Sequence, residues 1–239
     1  MNRYLREKVN WDPHLVKTRR FIGDCFEGRS VKKVAVLGSG WLLDVPLESM
    51  RERFDKVFLV DIFHPPQIRK KTGAMMNVEL VEADLTGGAV MHIRDMARGL
   101  KRRPVKGEEE IGRIELTPPL DHLPVDAFIS VNLLNQLDIL LVDYLRKTQL
   151  HREFPSDTFR EKIQSFHLKW MTAQRGGLVT DARECTMNER TGSWDVRSLL
   201  HAPLPGGFRH DRWEWDFDTR GSYRPGSLTR MEVEAVEWK

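Results

Sequence analysis

The chain has 239 residues, enough for one large α/β domain with terminal extensions or for two small ones. Apolar residues make up 40% of it and charged residues 31%, a mix that supports a buried core and excludes a disordered chain. The balance of 38 Lys and Arg against 35 Asp and Glu is too even to indicate a nucleic-acid partner, and two cysteines, Cys25 and Cys185, exclude a disulfide framework.

No Cys/His cluster has zinc spacing, so no metal is expected. No apolar stretch follows the N-terminal Arg3, Arg6, Glu7 and Lys8, and the longest apolar run, Ile139 to Val142, falls far short of a membrane span. The expectation is therefore a cytoplasmic protein without a membrane partner.

Residues 1–30 read as a helical extension preceding a domain over 31–239. Asp12 is placed to cap a helix and Pro13 suits its first turn, with Leu15, Phe21, Ile22, Cys25 and Phe26 on one face and Gly28 at its end. Val31 to Leu37 is a β-branched, apolar run ending in Gly38-Ser39-Gly40, as a buried parallel strand does. A short helix over Leu47 to Phe54 follows, then a strand from Lys56 that ends at Asp61. A helix opened by Pro65 and Pro66 closes near Gly73, and a third strand, Asn77 to Glu82, ends at Ala83-Asp84.

A helix is expected through Ala89 to Leu100, and the charge block 101–110 reads as a solvated loop. Asp126 to Val131 is a fourth strand, followed by an amphipathic helix from Asn132 to Leu150 and another from Ser156 to Ala173. Gly176-Gly177 turns into a fifth strand ending at Asp181. Two period-two segments, Arg212 to Phe217 and Arg230 to Trp238, read as an antiparallel pair, with Trp213 and Trp215 on one packed face. Repeated strand–helix units give an α/β fold: a Rossmann-like, seven-stranded, mostly parallel sheet with helices on both faces and a C-terminal antiparallel hairpin.

Ligands of such sheets bind at the carboxyl ends of the strands, where strand order reverses. Three polar features fall there. The Gly38-Ser39-Gly40 turn admits close backbone approach. Asp61, about twenty residues on, is placed for the ribose hydroxyls of an adenosine, and Asp84 for its adenine amino group. The third position of a dinucleotide fingerprint holds Leu43, and Asp44 and Pro46 disfavour a pyrophosphate at the next helix start. A nicotinamide or flavin dinucleotide is therefore disfavoured.

From about Val31 to the C-terminus the chain resembles the class I, Rossmann-like S-adenosylmethionine-dependent methyltransferases. The resemblance rests on Val34 to Gly40, Phe58 to Asp61, Glu82-Ala83-Asp84-Leu85, Val125 to Leu134 and Gly176 to Val179. It implies S-adenosylmethionine (SAM) as cofactor, with Leu37, Gly38, Ser39, Gly40, Asp61, Ile62, Asp84, Leu85 and Asn132 in its site. It also implies methyl transfer to a small molecule or an accessible protein group, and the segment at Asn132 lacks the Pro-Pro-Tyr run of nucleic-acid amino-methylating members. No catalytic residue stands out. The first motif departs from the family at Val36, where an acid is common, and at Leu42, where a third glycine is common. Those departures motivate two further expectations. One is a helix bearing His14, Lys17 and Arg20 folded over the methionine end. The other, an alternative, is a catalytically inactive member that binds a ligand or partner. His64 is read as part of a helix entry, His122 as a surface loop residue and Tyr144 as helix packing. Asn135 and Asp181 stand on the ligand side of the sheet.

Overall fold

The computed structural model describes residues 2–99, 107–147 and 155–239. The elements are α1 (Asn2–Asp24), β1 (Lys33–Leu37), α2 (Leu47–Arg53), β2 (Lys56–Asp61), α3 (Pro66–Thr72), β3 (Val78–Glu82), α4 (Ala89–Gly99), α5 (Gly107–Gly112), β4 (Ala127–Val131), α6 (Gln136–Lys147), α7 (Ser156–Thr172), β5 (Arg175–Asn188), β6 (Trp194–Ser198), β7 (Arg209–Asp218) and β8 (Ser227–Trp238).

One eight-stranded sheet runs in the order β3-β2-β1-β4-β5-β8-β7, with β6 paired to β5 off this path. The first five strands are parallel and β8 and β7 antiparallel. The fold is thus α/β and Rossmann-like, with the antiparallel C-terminal pair in place and eight strands where seven are expected from the sequence. Alternation along β1 divides the core. Val34 and Val36 join α1, α2 and the β7–β8 face in one cluster. Ala35 and Leu37 join α4, α6 and α7 in the other.

Strand order reverses at β1, which has β2 on one side and β4 on the other. The crevice above this point is where the backbone leaves regular structure. Gly38, Gly40, Leu42 and Asn132 all have positive φ, of 78°, 45°, 57° and 47°.

Four elements differ from their sequence expectation. Helix α1 begins at Asn2, well before Asp12, and carries Pro13 inside it and a non-helical residue, Glu7. Its first half is held by β7 and the residue that follows it: Trp11 Nε1 donates to the Phe217 carbonyl at 2.9 Å, and Thr219 Oγ1 donates to Glu7 Oε2 at 2.8 Å. Helix α6 starts at Gln136 because the left-handed Asn132 breaks the helix there. Strand β5 runs seven residues past Asp181, and its outer half pairs with β6, an element without a clear sequence signal. The acidic run 108–110 falls in α5, whereas 101–106 lie outside the described residues, as do 148–150 of the expected α6.

Candidate functional site

The turn after β1 is fixed by its neighbours. Gly38 N and Ser39 N donate to the Val60 carbonyl at 2.9 and 3.3 Å. At Gly38 a Cβ would lie 2.9 Å from both Leu133 Cβ and the Val131 carbonyl, so glycine is required by the β4 loop behind it, not by a ligand in front. Gly40 faces open space, where a Cβ would come no closer than 3.9 Å to Asp61 Oδ2. The third-glycine position holds Leu42, yet the backbone keeps the left-handed conformation that glycine takes without strain. Burial of the Leu42 side chain in the first core cluster offsets that strain.

Asp61 ends β2 with its carboxylate already oriented. Oδ2 accepts from Gly40 N and Oδ1 from Ile62 N, each at 2.8 Å. Each oxygen keeps a lone pair for a further donor. Asp84 accepts at Oδ1 from Thr86 N at 2.9 Å and from Thr86 Oγ1 at 2.5 Å.

These groups open onto a cavity of about 370 Å³. Every site residue named from the sequence lines it except Leu37, whose side chain is buried in the second core cluster. The far wall comes from α1, expected from the sequence to fold over this end, with Trp11, His14 and Leu15, and from residues not expected there: Asp44 of the loop after β1, Leu140 and Leu141 of α6, and Trp215 of β7. Of the three α1 cations or polar residues expected near the methionine end, His14 is in the wall, while Lys17 and Arg20 face solvent. His64 is buried against the Val81 carbonyl, and His122 and Tyr144 are exposed.

The polar part of this far wall is a connected set. Asn132 Nδ2 donates to Asp44 Oδ2 at 2.7 Å. His14 stacks on Trp215, with ring centroids 4.0 Å apart and planes 9° from parallel, and its Nδ1 accepts from Trp213 Nε1 at 3.1 Å. Burial pushes the His14 pKa down to about 3, so the ring is neutral. Burial raises the Asp44 carboxyl above its usual range, partly opposed by the Asn132 bond. Asp181 lies at the β5 bulge, between the end of the β4 pairing and the start of β6. Burial first pushes it up to about 7, against its Asn135 bond, and the nearby Asp44 and Glu184 carboxylates add to the rise.

The signal for this wall was present but divided. Trp213 and Trp215 share a face by period two, and they do pack there; the period says nothing of the α1 ring set against them. Asp44 carried a signal against phosphate, which is only half of what a buried carboxylate means.

By fold and site together, the chain is a doubly wound α/β protein with an acid-lined cavity at its topological switch point. Neither the models of known families nor the curated proteins provide a match. Among solved structures, it is similar to the N-methyltransferase NodS from Bradyrhizobium japonicum WM9 in complex with S-adenosyl-L-homocysteine (SAH), at 11% identity over 98% of each chain and a TM-score of 0.40. It is also similar to DhpI in its SAH complex, at 10% identity over 99% of this chain and 92% of that one, TM-score 0.37. A third is the methyltransferase domain of bacterial CtHen1-CN, at 13% identity over 97% and 100%, TM-score 0.37. Likenesses this distant carry neither ligand nor activity across.

Proposed function

We propose that the protein is a SAM-dependent methyltransferase acting on a small molecule or an accessible protein group. The observation that carries this reading is the charge of the cavity wall. Among the described residues it holds Asp44, Asp61 and Asp84 and no lysine or arginine. A pyrophosphate would meet three carboxylates there without a cation, whereas a ligand with a sulfonium and an ammonium is matched in sign.

In this reading Asp61 takes the ribose hydroxyls, and Asp84 Oδ2 takes the adenine amino group. Ile62 and Leu85 supply the apolar contacts to the base, and Gly38, Ser39 and Gly40 give the close backbone surface with Leu37 beneath it. Asn132 stands at the methionine end. The bound cofactor supplies an electrophilic methyl carbon. The chain's part is alignment and exclusion of water by Trp11, Leu15 and Trp215. Residues 31–239 supply the sheet and the adenosine half of the site, residues 1–30 are a helical extension that completes the far wall, and the cytoplasm is the proposed location. Among the described residues no helix is long and apolar enough to cross a membrane.

Calorimetric titration with SAM, SAH and NADH tests the reading. Saturable binding of SAM and SAH with silence for NADH is expected. Silence for both adenosyl ligands, or binding of NADH alone, overturns it.

A further inference from the structure

Resting on the cofactor reading above, we infer that His14 and Asp44 form a two-point clamp for a zwitterionic α-amino-acid end. His14 Nε2–H would donate to the carboxylate, and Asp44 would accept from the ammonium. Neither residue lies within the motif turn Gly38-Ser39-Gly40, and one of them is delivered by α1, from the far edge of the sheet.

The hydrogen-bond inventory leads to this pairing. A neutral histidine carries one ring proton. Because Nδ1 accepts from Trp213 Nε1, that proton sits on Nε2. The polar neighbour of Nε2 is Asn132 Nδ2 at 3.4 Å, and that amide nitrogen, which donates one of its two protons to Asp44, has no lone pair with which to accept. Two donors therefore face each other, and the imidazole N–H needs an acceptor from the cavity. Asp44 presents the opposite need. Its carboxylate lines the cavity and accepts from Asn132 Nδ2 and from its own backbone N–H; the Arg19 charge reaches it, but among the described residues it makes no ion pair, and lone pairs remain for a further donor. Asn132 Oδ1 is buried and without a partner, a second acceptor in the same place. One unanswered donor beside an unpartnered amide oxygen and a carboxylate with lone pairs to spare complements the carboxylate and the ammonium that an α-amino acid carries on one carbon.

The position agrees with the sequence departure. Val36, where an acid is common in the resembled family, is fully buried in the first core cluster and offers the cavity nothing. Asp44 restores a carboxylate from the other end of the same loop. His14 cannot drift, since it is stacked on Trp215 and tied to Trp213.

The test compares two probes that share adenosine and sulfur and differ in the amino-acid end: SAH and 5′-methylthioadenosine. With the wild-type chain, calorimetry is expected to show SAH at least ~100-fold tighter, as two charge-assisted bonds imply. His14→Phe, which keeps a ring on Trp215, and Asp44→Asn, which keeps the shape, should each cut that preference about tenfold by weakening SAH alone. Melting temperatures confirm that each variant is folded. Equal affinity of the wild type for the two probes overturns the clamp while leaving the adenosine reading in place. So does a folded variant that loses both probes by the same factor. Failure of both probes to bind the wild type overturns the adenosine reading, and the clamp with it.

Discussion

Asp61 binds its own loop with the same two oxygens that face the cavity, so its substitution reaches both ligand and turn. Asp61→Ala is expected to weaken SAH binding by about ten- to a hundredfold, the loss of roughly 1.4–2.8 kcal/mol of charge-assisted bonding. Unchanged affinity in a folded variant would remove the ribose role. Gly38→Val should abolish binding by a different route: its Cβ would strike Leu133 and the Val131 carbonyl, and a positive φ is closed to valine. A Gly38→Val chain that titrates like wild type would show that the turn relaxes freely. Asp181 adds a pH signature. Its folded pKa of about 7 lies above the ordinary carboxylate value of 3.8, so the folded state holds a proton that the unfolded chain releases. Stability from this group is complete below that lower value and is lost as pH rises toward 7. The buried His14 and His167, pushed down to about 3 and about 4, act in the opposite sense and lose stability as pH falls below 6.5. Comparison with Asp181→Asn cancels the histidines. Between pH 5 and pH 8 the wild type should lose on the order of 2–3 kcal/mol relative to the variant in urea denaturation of the ligand-free protein. Parallel pH profiles would mean that Asp181 is ionised throughout.

Among the elements, α1 differs most from a detachable extension. Phe21, Ile22, Cys25 and Phe26 are at most 1% exposed and belong to the main core cluster. Removal of residues 1–28 is therefore expected to unfold the chain, and Phe21→Ala to cost about 3–5 kcal/mol in urea denaturation. Val9→Ala, at a position 82% exposed on the same helix, should stay within about 0.5 kcal/mol. A folded 29–239 fragment with native stability would contradict this. The parallel half of the sheet was legible in the sequence because β1, β2 and β4 are apolar runs closed by a turn, and Lys56–Asp61 and Pro66–Thr72 fall within a residue or two of their expected places. The loop of the site was legible for the same reason. The outer half of β5 was not, because Asp181, Arg183 and Glu184 interrupt its apolar pattern. Their partners come from far along the chain: Glu184 is bonded by Arg224 and by Tyr223 at 3.1 Å, and Arg183 pairs with Glu232. Likewise the α1 wall depends on pairing His14 with Trp213 and Trp215, about two hundred residues away, which periodicity within a short window does not report.

For the molecule as a whole, the tryptophans offer a direct readout of where a ligand sits. Trp11, Trp41 and Trp215, three of the seven, line the cavity. Titration with SAH should change the intrinsic fluorescence saturably, and Trp41→Phe, at a residue 39% exposed on the rim, should reduce the amplitude without unfolding the chain. A heat of binding with an unaltered emission spectrum would put the ligand elsewhere. Trp194, 52% exposed on β6, is outside the cavity wall and serves as the internal reference.

The contact between α1 and β7 also sets a clock on biosynthesis. On the ribosome, His14 emerges long before Trp213 and Trp215, the side chains it docks against. At about 5–20 residues per second, the helix waits roughly 10–40 s with its apolar face unmatched. A chain stalled after β5 would carry the whole adenosine half of the crevice and still lack the aromatic lid. Newly made protein should therefore gain ligand-binding competence only after the last two strands have cleared the exit tunnel, and its nascent forms should be clients for chaperones that shield a single amphipathic helix.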